Sequence, residues 1–320
     1  MTTLNAPRSQ NRPSSTTNAS PASPDTQATL HVAIPKGRMY EGVVALLAEA
    51  GIRLSASARG YRPTLSLPGV EAKILKPQNI IEMLEIGSRD VGFAGADWVA
   101  ELGADVVEVL DTGLDRVRVV AAAPRQILED GRLPRRPLVV ASEMERLTRQ
   151  WIATRDLDAR FVRSYGATEV FPPEDADCIV DIAASGATLA ANGLEIVDEL
   201  LSSSTRLYAS RAAMADDAKR ATINDLALLL SSVLEARKRI MLEVNVPAEN
   251  LDAVVAILPC MRQPTISPLH AGTCSQSLSQ PRAFAVKAAV PRDRLPRLIP
   301  AIKQAGGTDL VISPIAQVVP

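Results

Sequence analysis

"LHVAIPKGRMYEGVVALLAEAG", residues 30–51, holds a strand, a turn and a helix in one short stretch. The apolar run LHVAI reads as a buried strand, and Met39, Val43, Leu46, Leu47 and Ala50 then recur at helical spacing until Gly51 stops them. The pattern returns downstream. VEAKIL (70–75) reads as a strand, Pro77 opens a helix through Ile81 and Leu84, and DVGFAG (90–95) is strand-like again. Strands and helices in this alternation predict an α/β fold, a mostly parallel sheet with helices on its faces.

A second α/β unit begins near Pro124: PLVVAS (137–142), ARFVRS (159–164) and DCIVDI (177–182) read as strands, with Met144, Leu147 and Trp151 on one helical face. A long helix follows, from about Ala215 to Ile240, striped by Ile223, Leu226, Leu230, Val233 and Leu234. Its periodicity does not say which unit it joins. In the last 80 residues the rhythm changes: MLEVNVP, ENLDAVVAIL, PTISPL, AFAVKAAV, LPRLIPAIKQAGG and DLVISPIAQVV read as β-α-β-β-α-β. That order predicts a third, ferredoxin-like domain.

Composition narrows the function classes. The 320 residues are 47% hydrophobic and 22% charged, an ordinary soluble balance that can bury a sizeable core. Lys plus Arg is 35 and Asp plus Glu 36, so no overall field draws the chain to nucleic acid or to a membrane surface. Any bound anion must be held by local groups. Cys178, Cys260 and Cys274 have no Cys-x-x-Cys spacing, which points to a reducing compartment and away from a disulfide frame or zinc site. No apolar run reaches the roughly 18 to 20 residues of a membrane span, and the first residues lack the regions of a signal peptide, so a cytoplasmic location is expected. Residues 1–28, rich in Ser, Thr, Pro, Asn and Ala, are expected to form a disordered tail. Two arginines and a single acid make a transit peptide conceivable there, but large apolar residues for an amphipathic face are almost lacking.

The chemistry gathers where strands end. DIAASGATLAANGL (181–194) follows the apolar run CIV and places Asp181 at a strand end, before a Ser-Gly-x-Thr turn. Such a turn offers successive backbone N–H groups, the hydroxyls of Ser185 and Thr188 and a helix N-terminus to one point, a donor set that suits phosphate. Gly186 allows close backbone approach, and the two oxygens of Asp181 match a ribose diol. A helix cap, with Thr188 at the N-cap and Asp181 as turn former, explains the same residues equally well. IPKGRMYEG adds Lys36 and Arg38 around Gly37 at the end of the first strand, where open α/β sheets bind ligands. SARGYRP and GFAGADW add Arg59, Arg62 and Asp97, each a weak signal by itself.

AIPKGRMYEG, KPQNIIEMLEIGSRDVGFAGADW, VEVLDTGLDRVRVVAAAP, GATEVFPPEDADCIVDIAASGATLAANGL and ILPCMRQPTISPL, in this order, resemble the ATP phosphoribosyltransferase family. The resemblance covers about residues 30–320 and is most specific in VDIAASGATLAANGL. It implies transfer of a phosphoribosyl group from phosphoribosyl pyrophosphate to N1 of ATP, with release of pyrophosphate, a Mg²⁺ requirement and inhibition by histidine. The third domain implies the long form, a homohexamer in exchange with dimers. The implied architecture is a two-lobed core like a type II periplasmic binding protein, plus a C-terminal ferredoxin-like (ACT-like) regulatory domain. Lobe I would comprise 29–125 with 208–242, lobe II 126–207, and the regulatory domain 243–320. Carried over residue by residue, Asp181 holds the ribose, Ser185, Gly186, Ala187 and Thr188 hold the 5-phosphate, and Lys36 and Arg38 face pyrophosphate or triphosphate oxygens. Glu169 lies near the ribose and Arg59 on the ATP side. Thr265 and Ser267 lie near the effector. No protein ligand to Mg²⁺ is expected, since this ion is held mainly by phosphates and water.

Two other functions share some of these features. A solute-binding protein has the lobes and cleft, but it calls for an export signal and leaves the third domain unexplained. A catalytically dead regulatory relative should have lost Lys36, Asp181 or the Ser-Gly-x-Thr turn, all of which are present.

Overall fold

The computed structural model of the 320-residue chain describes Met1 and residues 29–55, 60–270 and 283–319. Arg59, Cys274, the remainder of the 1–28 tail and most of the polar 270–284 connection lie outside those residues.

The first strand, β1 (Leu30–Pro35), leads through Lys36–Arg38 into α1 (Met39–Glu49). β2 (Val70–Leu75), α2 (Pro77–Glu85), β3 (Val91–Gly95) and α3 (Ala96–Leu102) follow. β1 pairs in parallel with β2 and with β3, giving the order β2-β1-β3. Because both faces of this sheet are covered, its apolar runs need not alternate, which is why LHVAI is continuous.

Next comes β4 (Val106–Pro124), then β5 (Leu138–Ser142), α4 (Glu145–Thr154), β6 (Ala159–Arg163), β7 (Cys178–Ala183), the short α5 (Ala187–Ala191) and β8 (Leu194–Ser210). β5 lies between β6 and β7, parallel to both, so lobe II repeats the layout of lobe I. α6 (Asp217–Arg237) is the long helix. Its Ile223, Leu226, Leu230 and Val233 join one buried cluster with Leu30, Ile34, Leu46, Phe93 and Leu207, so it packs in lobe I. Each such side chain contributes about 1.5 to 3 kcal/mol of burial, enough for the stripe to anchor the helix.

β4 and β8 join the lobes. They pair antiparallel along their length, from Leu194 opposite Pro124 to Ser210 opposite Val106. β8 also pairs with β3 in lobe I, and β4 with β7 in lobe II. The result is one eight-stranded sheet, β2-β1-β3-β8-β4-β7-β5-β6, that changes lobe at the β8–β4 pair. Register shifts between Ser203 and Arg206 break this pair where the lobes part. Bulges of this kind bend and twist a strand, and here they turn one lobe relative to the other.

α6 then leads into β9 (Arg239–Pro247), α7 (Leu251–Ile257), β10 (Thr265–Pro268), β11 (Ala283–Pro291), α8 (Leu295–Gln304) and β12 (Thr308–Ser313). The sheet order β10-β11-β9-β12 is that of a ferredoxin-like fold. Alternate β9 residues Ile240, Leu242, Val244 and Val246 pack on Val254, Leu298 and Ile302 of α7 and α8. β12 stops at Ser313, short of the apolar run through Val319; Pro314 next to it has no N–H to continue a ladder. The chain is therefore a two-lobed α/β core with a C-terminal ferredoxin-like domain. Among the described residues no helix is long and apolar enough to cross a membrane.

Candidate active site

The sheet topology itself locates a cleft. The carboxyl end of β3, Gly95, pairs with Thr205 of β8, which pairs with Leu114 of β4. The carboxyl end of β7, Ala183, pairs with Arg118 of β4, which pairs with Ser202 of β8. Ser202 and Thr205 are three residues apart, so the two sets of strand ends meet within about 10 Å along one strand. Ligands of open α/β sheets bind outside the carboxyl ends of the strands, and both lobes turn theirs to this crossover.

Lobe I contributes cations. Gly37 takes a φ of +81°, a left-handed conformation that lets Lys36 and Arg38 stand on either side of a tight turn. Arg38 reaches the crossover: its Nη1 donates to the Asp115 carbonyl at 3.1 Å and lies 3.7 Å from the Asp115 carboxylate. Asp115 is held in turn by the Thr205 hydroxyl at 3.1 Å. The Lys36 ammonium lies 5.9 Å from the centre of the exposed Tyr61 ring. Lys76, which the sequence reading passed over, stands exposed just beyond the end of β2. The Lys36 N–H donates to the Leu75 carbonyl at 2.8 Å, so Lys76 and Lys36 sit at neighbouring strand ends.

Lobe II contributes a polar pocket of about 200 Å³ lined by Asp181, Glu169 and the 182–189 turn. Gly186, with φ +81°, is the N-cap of α5 and no side chain caps the helix. Thr188 is its second residue, and its hydroxyl makes no hydrogen bond among the described residues. This corrects the capping alternative: Thr188 is not at the N-cap. The Ser185 hydroxyl accepts the Ala187 N–H at 3.3 Å. Oδ1 of Asp181 accepts the Ile182 N–H at 2.7 Å, and its Oδ2 is free of partners among the described residues. Burial pushes the Asp181 carboxyl up to about 6; the Ile182 N–H opposes the rise, and the charges of Glu169 and Glu143 add to it. Glu143, directly after β5, also escaped the sequence reading, since a lone acid after a strand carries no distinguishing pattern.

Asp97, Arg118 and His31 each have a partner within the fold. Asp97 is 3% exposed and tied to the Ser203 hydroxyl at 2.8 Å, a structural partner rather than a cleft ligand. Arg118 pairs with Glu199 at 3.3 Å across the crossover. His31 lies near the start of β1, where Asp90 accepts its N–H at 2.7 Å, at the opposite end of the sheet from the cleft. Thr265 and Ser267 lie opposite Lys287 and Ala285 on β11, whose alternate residues Val286, Ala288 and Val290 are buried. They therefore face away from α7 and α8, on the uncovered side of the third domain's sheet.

Comparisons with known proteins point to one family. The family model described as ATP phosphoribosyltransferase matches residues 76–232, and the one described as HisG, C-terminal domain matches 236–317. The ATP phosphoribosyltransferase of Pelodictyon phaeoclathratiforme is 35% identical over 282 residues, 87% of this chain and 93% of the relative. That of Pelotomaculum thermopropionicum is 34% identical over 91% of this chain and 99% of the relative. Among solved structures, an ATP phosphoribosyl transferase (HisG:HisZ) complex from Thermotoga maritima superposes with a TM-score of 0.58 at 25% identity. The match covers 64% of this chain and 98% of that one.

Proposed function

The chain belongs to the ATP phosphoribosyltransferase family, and from that premise we propose that it transfers the phosphoribosyl group of phosphoribosyl pyrophosphate to N1 of ATP. The products are phosphoribosyl-ATP and pyrophosphate, the first step of histidine biosynthesis. The observation that carries this reading is the meeting of a cationic turn from lobe I and a small polar pocket from lobe II at one crossover. Incubating the purified protein with ATP, phosphoribosyl pyrophosphate and Mg²⁺ and looking for phosphoribosyl-ATP tests it; no product sinks it.

The residues divide the work. Displacement of pyrophosphate builds positive charge on the ribose and negative charge on the leaving group, so positioning and charge neutralisation matter more than a strong base. The uncapped N-terminus of α5 and the hydroxyls of Ser185 and Thr188 hold the 5-phosphate. Asp181, with Glu169 beside it, holds the ribose diol and sets negative charge against the developing cation. Lys36 and Arg38 take up charge on the departing pyrophosphate, with Arg59 on the ATP side. Mg²⁺ supplies further neutralisation on the substrates' phosphates. This ion is usually held mainly by substrate phosphates and water, and no protein ligand is assigned.

A pH dependence follows from Asp181. The diol needs the ionised carboxylate, and this group sheds its proton only near pH 6. The kcat/KM profile should therefore rise through about pH 6 to a plateau, and Asp181→Asn should lack that limb. An acid limb unchanged in the variant assigns it to another group.

The third domain is proposed as a histidine-binding regulatory module in a cytoplasmic hexamer that exchanges with dimers. Thr265 and Ser267, on the uncovered sheet face, are proposed to lie near the effector. They belong to a different domain from the phosphate pocket, so histidine should lower turnover at saturating phosphoribosyl pyrophosphate. Coupling between separate sites of about 1 to 3 kcal/mol is reciprocal in binding. Strictly competitive inhibition against phosphoribosyl pyrophosphate rules the module out as the effector site.

A further inference from the structure

Helix α4 of lobe II has no N-terminal cap of its own. Its N-cap is Met144, whose side chain has no oxygen and caps no helix N–H. The second and third helical residues, Arg146 and Leu147, carry the N–H groups that a cap normally satisfies. Both are taken by one carboxylate from the other lobe. Glu101 of α3 accepts the Arg146 N–H through Oε1 and the Leu147 N–H through Oε2, each at 3.0 Å. Glu101 is only 8% exposed. The contact is reinforced from the lobe II side, where Arg146 Nη1 donates to the Ala100 carbonyl of α3.

The other end of α3 is tied to the crossover. Ser203 of β8 donates to Asp97 Oδ1 at 2.8 Å and accepts the Asp97 N–H at 3.1 Å. Between these ties, Trp98 packs against the α2 cluster of lobe I and also against the Val140, Met144 and Trp151 cluster of lobe II. α3 is thus a strut from the crossover to the cleft side of lobe II, since α4 starts just beyond the carboxyl end of β5. The β8–β4 pair that joins the lobes carries register breaks at Ser203–Arg206, the kind of irregularity at which strands bend and twist.

We propose that Glu101 is a positioning residue of the transfer reaction: by capping α4 across the cleft it sets the lobe angle, and so the distance from Lys36 and Arg38 to the 185–188 turn. The inference rests on the proposed phosphoribosyl transfer. Pyrophosphate and ribose 5-phosphate halves of one substrate must be gripped from different lobes at one fixed separation, and misplacement by about 1 Å can cost on the order of a hundredfold in rate.

The test uses the full chain with Glu101→Ala and Glu101→Gln, the amide presenting one acceptor and one donor to two N–H groups. Turnover at saturating substrates should fall about 10- to 100-fold in the alanine variant and less in the glutamine variant. Calorimetric binding of ribose 5-phosphate, which probes the lobe II turn alone, should change by no more than about twofold, because that turn is built within lobe II. Small-angle scattering should report a wider particle. Arg146→Ala, which leaves the carboxylate in place, should show the same pattern more weakly and serves if Glu101→Ala fails to fold. Wild-type turnover in a folded Glu101→Ala protein overturns the inference, as does a parallel loss of ribose 5-phosphate binding, which marks a local structural role. A wild-type protein that makes no phosphoribosyl-ATP overturns the functional reading and this inference with it.

Discussion

Asp181→Asn should lower turnover about a hundredfold or more while leaving the protein as stable as the wild type or more so. The first half follows from hydrogen bonding. An ionised carboxylate holding two ribose hydroxyls makes two charge-assisted bonds of about 1.5 to 3 kcal/mol each, and asparagine keeps one neutral acceptor in their place. A loss of about 3 kcal/mol in the transition state is about a hundredfold in rate. The second half follows from the direction of the shift. Burial holds the folded carboxyl at about 6, above its ordinary value of 3.8, so its contribution to stability is fully present below 3.8 and is lost as pH rises through about 6. At neutral pH the wild type therefore carries a charge that the fold resists, and the amide removes it. The Ile182 N–H, now donating to Oδ1 at 2.7 Å, keeps an acceptor in asparagine. A purely structural Asp181 predicts the reverse pair: unchanged kinetics and a lower melting temperature. Steady-state kinetics with thermal melts at pH 5 and pH 8 separate the two.

Much of this geometry is legible in the primary structure because it is local. LHVAIPKG is buried on both sides and breaks at a glycine, so a strand and its ligand-facing end can be read directly. The 181–188 turn is equally self-contained, and its burial beside Glu169 only sharpens the chemistry. What escaped depends on partners distant in sequence. β4 and β8 are long strands, but their repeated register shifts reset the alternation of residues such as Ile196, Asp198 and Glu199. A period of two broken every few residues is not visible to a pattern search. The stripe of α6 is clear in sequence, yet its address in lobe I is fixed by Leu46 and Phe93, over a hundred residues away. Glu101 is the extreme case. Nothing near an acid at the end of a short helix marks it as the cap of another helix 45 residues on.

The same dependence on distant partners governs the most damaging core change predicted for lobe I, Gly92→Val. Gly92 lies in β3, a central strand that pairs with β1 on one side and β8 on the other. A Cβ placed there would lie 2.7 Å from Ile80 Cγ2, 2.9 Å from Ala33 Cβ and 3.1 Å from the Ala33 carbonyl. Ile80 and Ala33 are both fully buried, so neither can swing into solvent. Inserting even a methyl group into such packing costs about 1 to 3 kcal/mol, and valine adds two more carbons to the same crowded space. Relief requires α2 to move off the sheet or β1 to shift along β3, and β1 carries Lys36 and Arg38 at its end. Gly92→Ala should therefore express with a lowered melting temperature and reduced turnover, and Gly92→Val should fail to accumulate as folded protein. Gly51→Ala, at a position where a Cβ meets nothing within 4 Å but φ is +84°, should cost only about 1 kcal/mol of backbone strain and leave turnover intact. Thermal melts and kinetics on the three variants check the ranking. A Gly92→Val protein as stable as Gly51→Ala would mean that α2 and β1 are not packed as tightly on β3 as these distances require.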